Sequence, residues 1–282
     1  MATGPAKLGT IFTVLALTRI LAGFLPDSVL GQNCGCPKDQ CCSQFGYCGK
    51  GPDFCGAGCR EGPCDGGNGR RNVGGNGISV PDIVTPAFFD GNKNEGTGDC
   101  PGRAFYTRDA FLEALKSYSG FGTAGSADDS KREIAAFFAH VSHETGRLCF
   151  MEENLDLNNP YCDREREAEY PCNPSKRYYG RGPLQLTWNY NYGAAGKDNG
   201  FDGLGNPEIM ALDPVVSFKA ALWFWMTNVH NAITSGQGFR ATTRAINSME
   251  CGGGSDKAAS RIELFQKYCG QLGVSPGGNF NC

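Results

Sequence analysis

His140, His143 and Glu144 fall at positions i, i+3 and i+4 of the segment Phe138-Ala-His-Val-Ser-His-Glu-Thr-Gly146. On a helix those spacings put the three side chains on one face. A zinc protease would place its second histidine four residues after the first, with a glutamate directly after the first. Here the order is His-x-x-His-Glu, and the remaining histidine, His230, lies far downstream. Metal ligation is therefore set aside, and no metal or other cofactor is expected. The alternative makes Glu144 a general acid, with the histidines ordering its hydrogen bonds. A second carboxyl is then required. Glu152 and Glu153, in Met151-Glu-Glu-Asn154, are near enough in sequence. Glu165, Glu167 and Glu169 remain open as alternatives, although the run from Asp163 to Tyr170 reads most simply as a solvated charged stretch. Two carboxyls roughly 6.5–9.5 Å apart suit glycoside hydrolysis with inversion: one protonates the leaving oxygen and the other activates water on the opposite ring face.

A third segment supports a sugar substrate. Arg177 to Tyr192, RYYGRGPLQLTWNYNY, is dense in aromatics, amides and glycine. Aromatic faces stack on pyranose rings, amides read polar substituents, and glycines let the backbone approach closely. Tyr178 and Tyr179 are equally readable as core side chains.

Helices must position these groups. Thr107 can cap a helix carrying Phe111, Leu112, Leu115 and Tyr118. Asp128, Asp129 or Ser130 can cap a second, with Ile134, Phe137, Phe138 and Val141 on its apolar side. Asp213-Pro214 starts a third within Leu212–Met226, striped by Val216, Ala220, Trp223 and Phe224. Segments 242–249 and 255–272 form two more. Strand signals are scarce, so the expected fold is mainly α with glycine-rich connections.

The chain has 282 residues, 15 cysteines and a net charge of −3. That balance argues against a nucleic-acid partner, which calls for a basic surface. So many cysteines argue against the cytosol. Residues 1–31 read as an export signal: Lys7 precedes an apolar run from Leu8 to about Leu25, interrupted by Arg19. That interruption, and the lack of any later span of about 20 apolar residues, argue against a membrane anchor. Eight cysteines crowd into residues 34–64, and a tract at 65–77 has six glycines in 13 residues. The expected organisation is a disulfide-stapled module at 32–64, a flexible linker at 65–77 and a large domain at 78–282. Eight cysteines pair in 105 ways, and spacing alone does not choose. In so small a module the sulfurs fill the interior, which leaves the aromatic rings exposed.

Two resemblances sharpen this. Cys41-Cys-Ser-Gln-Phe-Gly-Tyr-Cys-Gly49, followed by Phe54-Cys55, resembles the hevein-type chitin-binding domain, with a shortened N-terminal loop. The resemblance implies that Ser43, Phe45, Tyr47 and Phe54 hold N-acetylglucosamine units. It also implies pairings Cys34–Cys42, Cys36–Cys48, Cys41–Cys55 and Cys59–Cys64. In the large domain, HETG, Cys-Phe-x-x-Glu, RYYGRGPLQLTWNYNYG, ALWFWMT and a C-terminal Arg-Ile with Tyr-Cys resemble the family 19 glycoside hydrolases, plant chitinases of the class IV type. That implies a bilobal, lysozyme-like α-helical domain that cleaves internal β-1,4 linkages of chitin with inversion. It makes Glu144 the general acid, Glu153 rather than Glu152 the general base, and Thr187 a holder of the attacking water. Gln185, Tyr190, Asn191 and Asn247 match cleft positions. Arg261 matches an arginine that supports the carboxylates, and is expected to keep Glu153 or its neighbour ionised. Trp188 stands where many members carry histidine, and Asn228 where longer members have an extra loop, which implies fewer sugar subsites.

The same resemblance implies disulfides Cys100–Cys149, Cys162–Cys172 and Cys251–Cys282, leaving Cys269 as a buried free thiol on the last helix. The expected protein is a secreted, apoplastic monomer whose partners are chitin and its oligomers, in defence against fungi. The rivals are a chitin-binding lectin without activity and a lysozyme-like peptidoglycan hydrolase.

Overall fold

The structure, a computed structural model, describes residues 35–43, 48–55, 59, 62, 78–153, 159–251 and 256–282. The proposed signal and linker lie outside the described residues, as do Cys34, Phe45, Tyr47 and Cys64.

In the N-terminal module, β1 (Cys41–Cys42) pairs antiparallel with β2 (Cys48–Gly49), and α1 (Pro52–Cys55) follows. Disulfides Cys36–Cys48 and Cys41–Cys55 tie these pieces together, as the resemblance implies. Cys42 and Cys59 are also disulfide-bonded, with their expected partners outside the described residues. Ser43 is buried, and Phe54 is half-buried, against the expectation of an exposed ring. The Phe54 ring covers Gly49 so closely that a Cβ there would stand 2.4 Å from it.

The large unit is helical: α2 (Val80–Ile83), α3 (Pro86–Lys93), α4 (Gly102–Phe105), α5 (Arg108–Leu115), α6 (Ala127–Glu144), α7 (Asn189–Asn199), α8 (Ile209–Leu212), α9 (Pro214–Phe224), α10 (His230–Thr234), α11 (Phe239–Ile246) and α12 (Asp256–Gln271). Thr107 caps α5 as expected, its hydroxyl accepting from the Ala110 N–H. The expected cap of α6 is corrected. Ser126 caps it, and Asp129 sits at the third helical position, where its carboxylate returns to the Ser126 N–H at 2.9 Å. Asp213 caps α9 with Pro214 at the first turn. That helix does not run evenly to Met226: a π-helical turn, Trp225–Val229, takes over and leads into α10.

α6 is the central element. Every residue from Glu133 to Ser142 is buried, which suits a helix surrounded on all sides. Its Phe137 and Phe138 meet Phe111, Phe121, Phe88, Phe89 and Trp225 in edge-on and tilted ring contacts. The buried Glu133 has three donors on hand: the Trp225 indole, His230 and the Gly122 N–H. A second, smaller core gathers Tyr178, Leu186, Tyr192, Ala195, Met210, Ala220 and Trp223. α9 lies between the two cores, giving Phe218, Ala221 and Leu222 to the first and Ala220 and Trp223 to the second. Two lobes therefore share one helix.

Disulfides Cys100–Cys149, Cys162–Cys172 and Cys251–Cys282 are present. Cys269 is free and fully buried on α12, and burial pushes its thiol up to about 12. A thiol reagent is expected to label no cysteine in the native protein and one after denaturation without reductant; labelling of the native protein contradicts this.

Candidate active site

Glu144 is the last residue of α6, and its side chain is 19% exposed. Four residues earlier on the same face is His140, fully buried. Both turn to Arg261, itself fully buried on the inner stripe of α12 with Leu264, Phe265 and Tyr268. Arg261 Nη2 donates to Glu144 Oε1 at 2.5 Å. The same guanidinium grips Glu250 with two bonds, Nε to Oε2 at 2.7 Å and Nη2 to Oε1 at 3.1 Å. Its Nη1 donates to His140 Nδ1 at 3.1 Å. Arginine can only donate, so the proton of neutral His140 sits on Nε2, which donates to Thr242 Oγ1 at 2.8 Å. Burial, first, and Arg261, second, hold His140 well below the usual histidine range. Burial likewise lowers His143, next to Ser260, to about 4.

One guanidinium serves two carboxylates, and they are not served equally. Glu250 takes two of its bonds and a third from Asn247 Nδ2 at 3.0 Å. Burial raises the Glu250 carboxyl, but the Arg261 bonds and charge outweigh it and the net direction is down. Glu144 takes one bond, and there burial outweighs the attraction of Arg261, so its carboxyl is raised above the ordinary value. The arrangement therefore favours an ionised Glu250 beside a Glu144 that can keep its proton.

From Glu144 the chain turns back sharply. Gly146, Arg147 and Leu148 have successive φ values of 59°, 65° and 59°, a left-handed turn that costs non-glycine residues about 1 kcal/mol or more each. Thr145 Oγ1, which bridges the Val141 carbonyl and the Leu148 N–H, and the Cys100–Cys149 disulfide hold it. The chain then pairs with the aromatic segment. Glu152 bridges to Arg181, and Arg181 bridges to Leu186. Directly paired residues share a face and neighbours alternate. Glu152 accordingly meets Arg181 Nε at 3.3 Å and the Tyr179 hydroxyl at 2.9 Å. Glu153 falls on the alternate face, with the register positions of Gln185 and Thr187. Its N–H bonds the Gly180 carbonyl at 3.0 Å, and its buried Oε1 has no hydrogen-bond partner among the described residues.

Thr187 Oγ1 donates to the Gln185 carbonyl at 2.8 Å, Gln185 Nε2 to the Gly182 carbonyl at 3.0 Å, and Asn191 Nδ2 to the Thr187 carbonyl at 2.8 Å. The Tyr190 ring carries the Arg166 guanidinium at 5.0 Å. A Cβ at Gly180 would stand 3.0 Å from Gln185 Oε1, so a side chain there would press on that amide. Tyr178 and Tyr179 are core residues.

At the carboxylates the structure corrects one expectation and adds one residue. Arg261 makes its ion pairs with Glu144 and Glu250; no ion pair joins it to Glu152 or Glu153. Glu250 was missed. The signal was available: a stripe of Arg261, Leu264, Phe265 and Tyr268 puts an arginine on a buried face, where it requires counter-charges. Among the described residues, one group of three side chains has metal-ligand spacing, Cys162, Glu167 and Cys172. Its two sulfurs are joined to each other and offer no thiolate.

The family model for class I chitinases matches residues 83–236, and that for chitin recognition proteins matches residues 29–64. The chain belongs to the family 19 glycoside hydrolases. It is 50% identical over 293 residues to Chitinase 5 of Oryza sativa subsp. japonica, covering 100% of each chain. It is 53% identical over 282 residues to the acidic endochitinase SP2 of Beta vulgaris, covering 95% of this chain and 96% of that one. Among solved structures it is similar to a family 19, class IV chitinase from Zea mays. There the identity is 50% and the TM-score 0.68, over 72% of this chain and 99% of that chain. The mainly helical fold is thus the lysozyme-like fold of this family, joined to a disulfide-rich chitin-recognition module.

Proposed function

We propose that this chain is a secreted endochitinase that cleaves β-1,4 linkages between N-acetylglucosamine units in a single displacement with inversion. The observation that carries the reading is the unequal sharing of Arg261, which leaves Glu144 partly exposed and raised toward protonation. In the proposed reaction Glu144 gives its proton to the glycosidic oxygen. Glu153 takes a proton from water, which attacks the anomeric carbon from the far face with Thr187 helping to hold it. The unpartnered Oε1 of Glu153 supports that assignment, because a buried carboxylate oxygen needs a donor from solvent or substrate. Glu250 acts through Arg261 as a fixed counter-charge. Gln185, Tyr190, Asn191 and Asn247 are proposed to contact the sugar chain.

The proposed organisation is a signal at 1–31, a chitin-binding module at 32–64 using Ser43, Phe45, Tyr47 and Phe54, a linker at 65–77 and the hydrolase at 78–282. The module would keep the enzyme on insoluble chitin outside the cell, in defence against fungi. Among the described residues no helix is long and apolar enough to cross a membrane.

A reducing-end assay on soluble chitin oligomers tests the function. Turnover is expected, and it should exceed turnover on bacterial cell walls. Binding without turnover would make the chain a lectin, and preference for cell walls a lysozyme. The pH profile tests the acid. Glu144 works protonated, and its carboxyl is raised above 4.5 by burial. The active form therefore persists below the raised value and is lost as pH rises through it. The alkaline limb of kcat/KM is expected to have its midpoint above 4.5; a midpoint at or below that value contradicts the assignment.

A further inference from the structure

Trp188 has an unusual backbone for a bulky residue. Its φ is 81°, in the left-handed region. Its side chain is nevertheless exposed, at 37% for the residue. Strain that leaves a large aromatic in solvent calls for a functional reason. Several contacts impose it. The Trp188 N–H bonds the Tyr178 carbonyl at 2.8 Å, and the Asn189 N–H bonds the Tyr161 carbonyl at 3.1 Å. The buried Asn189 side chain is tied to Asp163 and Tyr170. Tyr161 is itself left-handed, at φ 54°, and its ring props that of Trp188 edge-on at 5.6 Å and 71°. The neighbouring Cys162–Cys172 disulfide anchors Tyr161 in turn.

The strained positions cluster. Among the described residues six non-glycines have positive φ, and five of them are Arg147, Leu148, Tyr161, Gln185 and Trp188. Two lie on the link from Glu144 to Glu153, and three on segments whose backbones bond to the stretch from Tyr178 to Gly182 that pairs with that link. Trp188 follows Thr187 directly. Glu153 and Trp188 both donate their backbone N–H to one short stretch, at the Gly180 and Tyr178 carbonyls.

We propose that Trp188, propped by Tyr161, is a sugar-stacking subsite of the cleft that takes an N-acetylglucosamine ring next to the cleaved pair and so sets preference for longer oligomers. This rests on the chitinase reading of the same site. The indole face covers the C–H face of the pyranose. The fixed backbone and the Tyr161 edge hold the ring in place before substrate arrives, which lowers the ordering cost of binding. Tyr161 is a positioning residue.

The three tryptophans of the chain make the test direct. Trp223 and Trp225 are 7% and 0% exposed, and the N-terminal module has none, so a ligand-dependent change in emission reports Trp188. The full-length Glu144→Gln variant is titrated with chitohexaose while tryptophan emission is followed. A saturable change is expected, and it should vanish in Glu144→Gln/Trp188→Phe. With Glu144 intact, Trp188→Gly is expected to raise KM for the hexamer about tenfold with kcat altered much less. Glycine is at ease at φ 81°, so this variant removes the ring without adding strain. Unchanged emission at saturation, or an unchanged KM in Trp188→Gly, overturns the subsite. Hexamer cleavage by the wild type, measured alongside, separates that result from failure of the chitinase reading, in which the wild type cleaves nothing.

Discussion

Glu144→Gln is expected to lower chitin hydrolysis by about 10³-fold or more while leaving chitin binding intact. Glutamine keeps the shape of the side chain and an oxygen to accept the 2.5 Å bond from Arg261, so the end of α6 stays in register. What it lacks is the acidic proton. If Glu144 only oriented substrate or stabilised the fold, the amide would retain most of the activity. Initial rates on soluble oligomers, with a chitin pull-down of the same preparation, decide between these. Activity above about a tenth of wild type would remove Glu144 from the acid role.

Arg261→Met carries the largest expected effect on stability. The methionine fills part of the space but leaves Glu144 and Glu250 facing each other without their shared cation. Removing one partner from a buried ion pair costs about 3–5 kcal/mol. For a domain of this size that corresponds to a fall in Tm of about 10 °C. Adding Glu250→Gln to Arg261→Met should restore part of the loss, because it removes one of the stranded charges. Non-recovery in the double variant would mean that Arg261 acts by packing alone. The pH dependence follows from the lowered Glu250 carboxyl. The stability it contributes is full above its unfolded value of about 4.5 and is lost as pH falls through the lower folded value. Acid should therefore destabilise the wild type more than Arg261→Met.

Glu144 was legible because its signal is local: a helical pattern of Phe137, Phe138 and Val141 carries it to the helix end, beside two histidines. The disulfides of the helical domain, read from the family pattern, match the structure throughout. That Glu152 rather than Glu153 shares a face with Arg181 was not legible from composition, because the pairing that places it there is long-range. α7 was also hidden. Asn-Tyr-Asn-Tyr-Gly-Ala-Ala-Gly has the propensities of a loop, yet its glycines serve close packing. A Cβ at Gly193 would stand 2.4 Å from the Tyr170 ring, and one at Gly196 would stand 2.5 Å from the Phe201 carbonyl. Glu250 escaped notice because it sits in a 3-10 turn of three residues with no apolar period to mark it. Only the buried arginine it serves pointed to it.

The proposed reaction is a single displacement by water activated at Glu153 with Glu144 as the acid. Proton NMR of the first products released from a chitin oligomer, recorded before mutarotation, tests it most directly. Inversion predicts that the new reducing end appears as the α-anomer and then relaxes toward equilibrium. A β-anomer at the earliest times would mean that configuration is retained, and would contradict the account.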